Sequence, residues 1–342
     1  MEIKSMKIKK ILVSALLILC TTAIHAVSMP IIGDYDTSHY SEQTVLNQSE
    51  TRAYTTNFSS GFVIIDISNP NNPTKISEFT DTDGGRVYDI TLNDDETIAY
   101  VALDQDGLLI LDISDELDIK KLGSYDTTAG RTRGVTLSNN GTKLYLADYF
   151  NGLVVVDVSD PTNPTKIGHY LTDYQHNGKV WDVVLSDDET KAYLANHSKG
   201  LLILNISNVN AITKIGEYNT AGITLDVALS SDETKAFVTD YSNGLVVIDI
   251  STPTAPTKIG HYPSGDKAWR LKLSSDNSKI FMADRSNGLV AIDVSSPNSP
   301  TFISKQATGV YTFGVVLSSD NTKAFTSDYY KGLIIMDLTN LP

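Results

Sequence analysis

A run of four or five apolar residues, closed by an aspartate and a short polar turn, recurs along the chain. Its clearest copy is Gly-Leu-Val-Val-Ile-Asp-Ile-Ser at Gly244 to Ser251. The other copies begin at Gly61, Gly107, Gly152, Gly200, Gly288 and Gly332. The steps between successive copies are 46, 45, 48, 44, 44 and 44 residues, a period typical of propellers, solenoids and other repeat arrays.

Each repeat contains four short apolar or β-branched segments separated by residues that favour turns. In the copy between Thr257 and Ser295 the predicted strands are Lys258–Tyr262, Trp269–Leu273, Lys279–Ala283 and Leu289–Val294. The last of these is apolar at nearly every position, so both of its faces must be covered. Packing of blade on blade covers them, and the sequence therefore predicts an all-β, seven-bladed β-propeller of four-stranded antiparallel blades.

The two ends of the repeat region predict how the ring closes. Ile31–Tyr35 corresponds to the outermost strand of a repeat, whereas Leu333–Leu338 is an apolar segment that lacks the outer strand expected after it. Pairing the first segment with the last completes the seventh blade and removes an exposed edge. We therefore expect residues 27–342 to form a single domain closed by an N-terminal outer strand.

Residues 1–26 have the pattern of a secretory signal peptide. Four lysines precede the apolar run Ile11–Leu19, and Ala23 or Ala26 supplies a small residue for cleavage. Removal of this leader changes the net charge from −14 to −17 and takes away Cys20, the only cysteine. We expect a monomeric periplasmic or extracellular protein without a membrane span. Its acidity argues against nucleic acid as a partner.

The loops that lead into the innermost strands, here called the mouth loops, vary most between repeats and are the expected place for specificity. Aromatic and basic residues lie in these loops or at the start of the strands that follow, and a mixture of this kind is typical of recognition surfaces. The ligand-binding candidates from this set are Arg131, Arg133, Trp181, Trp269 and Arg270. The alternative is that the two tryptophans fill the space between blades near the axis.

A second set of candidates follows an Asp or Asn that recurs between the second and third strands of a blade. These candidates are Tyr149, His197, Tyr241, Arg285 and Tyr329. If their loops share a face with the mouth loops, carboxylates and tyrosines would rim the opening and could bind a cation, a sugar or a basic peptide. The alternative is that each Asp or Asn only bonds the backbone of its own turn.

An enzymatic alternative rests on Asp89, Asp182 and Asp226, which occupy the same inner-strand position in three repeats. They could hold a metal ion in a hydrolase or lactonase-like site at the central channel. No HExxH or Gly-x-Ser-x-Gly motif occurs, so no catalytic residue is assigned. No cofactor is expected, although Asp81-Thr-Asp-Gly84 and Asp104-Gln-Asp-Gly107 have spacing that leaves calcium open.

The apolar phrases Leu153–Asp157, Leu245–Asp249 and Leu109–Asp112 resemble the signature of the LVIVD-repeat family. Asp160-Pro-x-x-Pro164, which leads into Thr165–Tyr170, adds to the resemblance. Asn205 replaces the strand aspartate in one repeat, and the second and fourth repeats lack the two prolines. The resemblance implies an exported bacterial or archaeal propeller that binds or scaffolds a protein, peptide or glycan partner, without an agreed enzymatic activity.

Overall fold

A computed structural model describes residues 27–82, 85–173 and 178–342, so the predicted signal peptide lies outside the described residues. Over these ranges the chain forms 28 β-strands and one single-turn 3-10 helix, Val209–Ala211. In chain order the first fourteen strands are β1 (Ile31–Tyr35), β2 (Thr44–Leu46), β3 (Arg52–Thr56), β4 (Phe62–Asp66), β5 (Thr74–Phe79), β6 (Asp89–Leu92), β7 (Ile98–Ala102), β8 (Leu108–Asp112), β9 (Lys120–Tyr125), β10 (Thr132–Leu137), β11 (Lys143–Asp148), β12 (Gly152–Asp157), β13 (Thr165–Tyr170) and β14 (Asp182–Leu185). The remaining strands are β15 (Lys191–Ala195), β16 (Leu201–Asn205), β17 (Thr213–Tyr218), β18 (Thr224–Leu229), β19 (Lys235–Asp240), β20 (Gly244–Asp249), β21 (Thr257–Tyr262), β22 (Leu271–Leu273), β23 (Lys279–Ala283), β24 (Leu289–Asp293), β25 (Thr301–Gln306), β26 (Thr312–Leu317), β27 (Lys323–Asp328) and β28 (Gly332–Asp337).

These strands form seven four-stranded antiparallel sheets arranged as the blades of a ring, which confirms the predicted seven-bladed β-propeller. Blades 1 to 6 are β2–β5, β6–β9, β10–β13, β14–β17, β18–β21 and β22–β25, each running from the innermost strand outward. Blade 7 combines β26, β27 and β28 with β1 as its outermost strand.

The core lies between neighbouring blades because the third strand of each blade is apolar on both faces. Residues Gly152–Val156 of β12 are all buried, for example, and only the closing Asp157 is partly exposed. At the seam between blades 7 and 1, Val63 and Ile65 pack with Leu333 and Ile335, all at most 1 % exposed. The same apolar packing therefore closes the ring and joins its interior blades.

The predicted closure of the ring by the first strand is confirmed. β1 pairs antiparallel with β28, with Gly33 opposite Ile335 and Tyr35 opposite Leu333. A bulge between Ile31 and Gly33 turns the glycine toward blade 1, where a Cβ on Gly33 would lie 2.0 Å from the carbonyl oxygen of Pro70. The N-terminal strand thus completes blade 7 and also abuts the first blade.

The turns between the first and second strands form a second set of links between blades. Asn277 Oδ1 accepts a hydrogen bond from Ser231 N of the previous blade at 3.0 Å, and Asn321 Oδ1 accepts one from Ser275 N at 3.2 Å. Glutamates make the same bond elsewhere: Glu233 accepts from Asp187 N. The polar and acidic turn residues therefore join blades, a role that the sequence pattern did not indicate.

The innermost strand of blade 6 is shorter than predicted, and β24 ends one residue before the predicted Val294. The sequence predicts a strand at Trp269–Leu273, whereas β22 begins at Leu271. Trp269 N still donates to Ala283 O at 2.8 Å, and Ala283 N donates to Arg270 O at 2.8 Å. Hydrogen bonding therefore continues past the regular strand, but with irregular geometry that brings both side chains to the axis.

Candidate functional site

The mouth loops and the loops between the second and third strands lie on one face of the ring. Backbone hydrogen bonds join the two sets within a blade, because Tyr149 N donates to Arg131 O and Tyr241 N donates to Ile223 O, both at 2.8 Å. Tyr329 N makes the equivalent bond to Tyr311 O at 2.8 Å. The face that carries both sets of loops is called the mouth below.

Aromatic side chains meet across the axis below the mouth. Trp181 of blade 4 and Trp269 of blade 6 have ring centroids 5.9 Å apart and are nearly perpendicular, at 81°. Phe313 of blade 7 lies against Trp269 at 4.8 Å. Since blades 4 and 6 are not neighbours, the Trp181–Trp269 contact spans the axis. The two tryptophans therefore pack with each other and fill axial space.

A buried arginine completes this packing, and we call Tyr88, Arg133, Trp181, Trp269 and Phe313 the axial plug. The Arg133 guanidinium lies 3.7 Å from the centroid of the Tyr88 ring and 5.1 Å from that of Trp181. It also pairs with Asp104 at 3.0 Å, and Arg133 is only 6 % exposed. Because its charge is paired and its faces are covered, Arg133 supports the mouth from beneath.

Arg131 lies over the Phe150 ring at 5.6 Å and 3.9 Å from Asp104. Four other cations lie around the plug, each over the face of an aromatic ring, and we call these four the mouth cations. They are Arg86 over Phe58 at 5.0 Å, Lys179 over Tyr149 at 4.9 Å, Lys267 over Tyr241 at 4.7 Å and Arg285 over Tyr311 at 4.1 Å, each measured to the ring centroid. Within the described ranges none of the four forms an ion pair with a carboxylate closer than 4.0 Å. Cation–π contact orients each charge while leaving its N–H donors available for a ligand.

The seam between blades 7 and 1 carries a cluster of tyrosines at the mouth, here called the tyrosine platform. Tyr40 stacks on Tyr329 with ring centroids 3.8 Å apart and planes inclined by 13°, and Tyr330 meets Tyr329 edge to face at 4.7 Å. Tyr40 is 37 % exposed and Tyr330 is 52 % exposed. The platform therefore presents apolar ring surface to solvent on the same face as the mouth cations.

Two predicted residues adopt a backbone conformation that differs from that of their tyrosine counterparts. His197 and Arg285 have left-handed φ values of 45° and 38°, and each forms a β-bridge with the next blade. Burial and the charge of Lys179 lower the pKa of His197, so its imidazole is neutral near pH 7. His197 lies 6.0 Å from Tyr149, between ring centroids, and extends the aromatic wall of the mouth.

The recurring Asp between the second and third strands has a clear local role. Asp148 is fully buried, and its Oδ1 accepts hydrogen bonds from Arg131 N at 3.1 Å, Phe150 N at 3.0 Å and Asn151 N at 2.9 Å. These bonds hold the turn and attach it to the mouth loop of the same blade. The aspartate thereby positions its neighbour Tyr149, as the turn interpretation expects.

The three inner-strand aspartates lie on the other side of the plug, in a central channel of about 530 Å³. Each accepts a backbone N–H from the next blade around the ring: Asp89 Oδ2 from Val135 N at 3.1 Å, Asp182 Oδ2 from Val227 N at 3.3 Å and Asp226 Oδ2 from Leu271 N at 2.7 Å. The channel opens toward the turns between first and second strands, which line it through residues such as Ser231 and Asn277. The aspartates and the mouth thus face different openings.

Burial changes the acidity of the three channel aspartates. Burial raises the pKa of Asp89 to about 6, and burial together with the neighbouring Asp226 raises that of Asp182 to about 8. The pKa of Asp226 is raised by burial as well, and its side chain lies close enough to that of Asp182 for the two acids to affect each other's pKa. Arg270 lies 4.0 Å from Asp89 and donates to Tyr88 O at 3.4 Å across the axis. Each of the three carboxylates already accepts a backbone N–H from the next blade, and Arg270 places a positive charge beside Asp89, so these contacts do not favour the hydrolase or lactonase alternative.

The structure divides the ten predicted ligand-binding residues into three groups. Six border the mouth, namely Arg131, Tyr149, His197, Tyr241, Arg285 and Tyr329. Arg133, Trp181 and Trp269 belong to the axial plug, and Arg270 lies beneath it beside Asp89. Among the described residues no group of three or more His, Cys, Asp or Glu side chains is gathered as for a metal ion.

Sequence reasoning missed several mouth residues. Arg86, Lys179 and Lys267 each stand two residues before a plug aromatic, and this shared spacing could have identified them. The tyrosine platform had no such signal, because Tyr40 and Tyr330 come from opposite ends of the chain and meet only when the ring closes.

The fold and the mouth define a closed, seven-bladed repeat propeller that presents an aromatic and cationic binding face. LVIVD repeats match residues 49–81, 84–127, 129–172, 177–220, 221–263 and 267–308, which is more than half of the chain. The chain therefore belongs to the LVIVD-repeat family.

Comparison with solved structures shows the same fold at low sequence identity. A chain in the crystal structure of the mitotic checkpoint complex is 12% identical with a TM-score of 0.73, covering 98% of this chain and 97% of that chain. The β-propeller domain of Myceliophteria thermophila Cps50 (Swd1) is 11% identical with a TM-score of 0.72, covering 91% and 100%. A chain of Kuenenia stuttgartiensis hydrazine synthase is 13% identical with a TM-score of 0.67, covering 93% and 99%. These similarities show the fold alone, and no curated protein sequence matches the chain. Over the described ranges no helix has the length and apolarity needed to cross a membrane.

Proposed function

We propose that this protein is an exported binding module that holds a protein, peptide or glycan partner over its mouth. The proposal rests mainly on the mouth cations. Each lies over an aromatic ring and forms no ion pair with a carboxylate of the described residues. In a chain with 27 Lys and Arg against 41 Asp and Glu, such cations on one face suit recognition better than structural support.

The mechanism is rigid presentation. The mouth loops are attached to the blades by buried aspartates such as Asp148 and by bonds such as Tyr149 N to Arg131 O. The axial plug supports them from below, and the ring is closed by β1. A surface fixed before binding loses little conformational entropy when its partner docks, which favours affinity. Export is supported by the leader pattern of residues 1–26 and by the family resemblance.

Site-specific crosslinking in the producing cell tests this proposal. A photoreactive benzophenone side chain at Tyr330, which is 52 % exposed at the mouth, should capture a partner, since benzophenone inserts into C–H bonds of proteins and glycans alike. The matched control carries the same group at Lys258, an exposed residue of the outer strand β21.

We expect an adduct from position 330, in the envelope or medium fraction, and none from position 258. Equal capture at both positions, or no capture at position 330, would refute a binding mouth. Recovery of the folded protein only from the cytoplasm would refute export.

A further inference from the structure

We infer that the ligand of the mouth is an acidic glycan, with carboxylates of uronic acid residues bound by the mouth cations and a sugar ring stacked on the tyrosine platform. This inference rests on the proposed function, because it names the partner of the same face. It depends on how charge and exposed ring surface are distributed around the mouth.

The charge is repeated around the ring. Arg86, Lys179 and Lys267 belong to blades 2, 4 and 6, and each lies over an aromatic ring of the preceding odd blade. Arg285 adds a fourth cation between blades 6 and 7. A closed ring fixes the spacing between these charges. Such an arrangement suits a stiff polymer with regularly spaced anionic groups, such as a glycan with one carboxylate in every sugar residue or every few sugar residues.

The local field at the mouth can attract an anion despite the net charge of −14. Exposed charges more than about 10 Å away are largely screened at 0.1 M salt, so the field is set by nearby charges, which include acids of the mouth loops as well as the mouth cations. Asp36 and Asp126 each accept a backbone N–H of their own turn at 2.7 Å. Against the opposing effect of partial burial, the pKa of Asp266 is lowered first by hydrogen bonds to its Oδ2 from Ser286 N at 3.1 Å and Ser286 Oγ at 2.5 Å, and then by the charges of Arg285 and Lys267. That carboxylate is thus held by serine, and the two cations keep their donors.

Peptide recognition is less well served by this face. Extended peptides are usually bound through main-chain hydrogen bonds or in grooves that take a helix. Several backbone groups at the mouth are used within the fold: Phe58 N donates to Tyr40 O at 2.7 Å and Tyr329 N donates to Tyr311 O at 2.8 Å. Side chains therefore offer the better contacts for a ligand. Exposed tyrosine rings offer an apolar face beside a hydroxyl, which matches the mixed character of a sugar ring.

Isothermal titration calorimetry of the leader-free protein tests the inference. The probes are hexamers of galacturonate, alginate and hyaluronan, with the methyl ester of oligogalacturonate as a neutral match and hexaglutamate as an acidic peptide. The variant Lys179→Gln/Lys267→Gln removes two mouth cations, and Tyr330→Ala removes the most exposed ring of the platform. The control Lys166→Gln/Lys258→Gln removes two exposed lysines from outer strands.

At least one uronate hexamer should bind in 50 mM salt, and the neutral ester should not. The mouth double variant should lose at least about tenfold in affinity, since each hydrogen bond to a charged group contributes that much or more. Tyr330→Ala should also weaken binding, and the outer-strand control should match the unmodified protein. Absence of binding to all three uronates, equal or tighter binding of hexaglutamate, or equal loss in the outer-strand control would overturn the inference. If the crosslinker at position 330 captures a partner but no uronate binds, the binding function stands and the glycan assignment fails.

Discussion

Closure of the ring should depend on Gly33, and Gly33→Ala tests this directly. A Cβ at this position would lie 2.0 Å from the carbonyl oxygen of Pro70 and 3.2 Å from Pro73 Cδ. Because the closest atom belongs to the backbone of blade 1, no side-chain rotation relieves the contact. Either β1 or the Pro70 loop must therefore move by about 1 Å, since nonbonded carbon and oxygen atoms do not approach below about 3 Å.

The size of the effect follows from this forced movement. Overpacking a well-packed site destabilises a protein by about 1–3 kcal/mol. The substitution should also disturb the pairing of Gly33 with Ile335 in β28, which holds the outer strand of blade 7. At roughly 2 °C per kcal/mol for a large domain, the melting temperature should fall by about 2–6 °C.

Urea unfolding followed by tryptophan fluorescence measures the change, because Trp181 and Trp269 pack at the axis and report on ring integrity. The matched control is Ser77→Ala at the equivalent position of blade 1, where a Cβ is already accommodated and only the bond from Ser77 Oγ to Glu116 O is lost. That loss should change stability by about 1 kcal/mol or less. If Gly33→Ala is no more destabilising than Ser77→Ala, the close approach of Gly33 to the Pro70 carbonyl does not determine how β1 closes the ring.

Two further perturbations address the buried acids and the links between blades. Burial raises the pKa of Glu42 to about 7 and that of Asp182 to about 8, so the native state binds more protons than the unfolded state above about pH 4. Stability should therefore fall as the pH rises from about 4 to about 8. Glu42→Gln should make the urea midpoint depend less steeply on pH. A rise in stability over that range would contradict the burial argument. Gly141 has a φ of 69°, and a Cβ added to it would have no atom within 4 Å. In the corresponding turn of blade 7 the same position is Asn321, whose Oδ1 accepts a hydrogen bond from Ser275 N. Gly141→Asn should therefore leave stability unchanged or raise it by up to about 1 kcal/mol, whereas Asn321→Gly should lower it by about 1 kcal/mol. A higher urea midpoint for Asn321→Gly than for Gly141→Asn would show that the turn links do not stabilise the ring.

Much of the candidate site could be anticipated from residue types and repeat positions. Asp148 and its equivalents mark a turn wherever they occur, so the repeat pattern is enough to place the adjacent Tyr149 in a loop. The use of Asp89 was harder to anticipate, because its partner Val135 N belongs to the next blade and a backbone donor leaves no signal in the sequence. The shared inner-strand position of Asp89, Asp182 and Asp226 gave no sign that each carboxylate bonds the backbone of the next blade.

The sequence by itself determined the strands, the number of blades and the strand that closes the ring, because a strand apolar on both faces needs a blade on each side and an unfinished last blade needs an outer strand. Only the tertiary structure decided which side chains meet at the mouth. Lys179 of blade 4 reaches Tyr149 of blade 3, and Tyr40 stacks on Tyr329 across the seam. These contacts depend on the rotation between blades and on the closure of the ring, and both are properties of the whole packed molecule that no local pattern encodes.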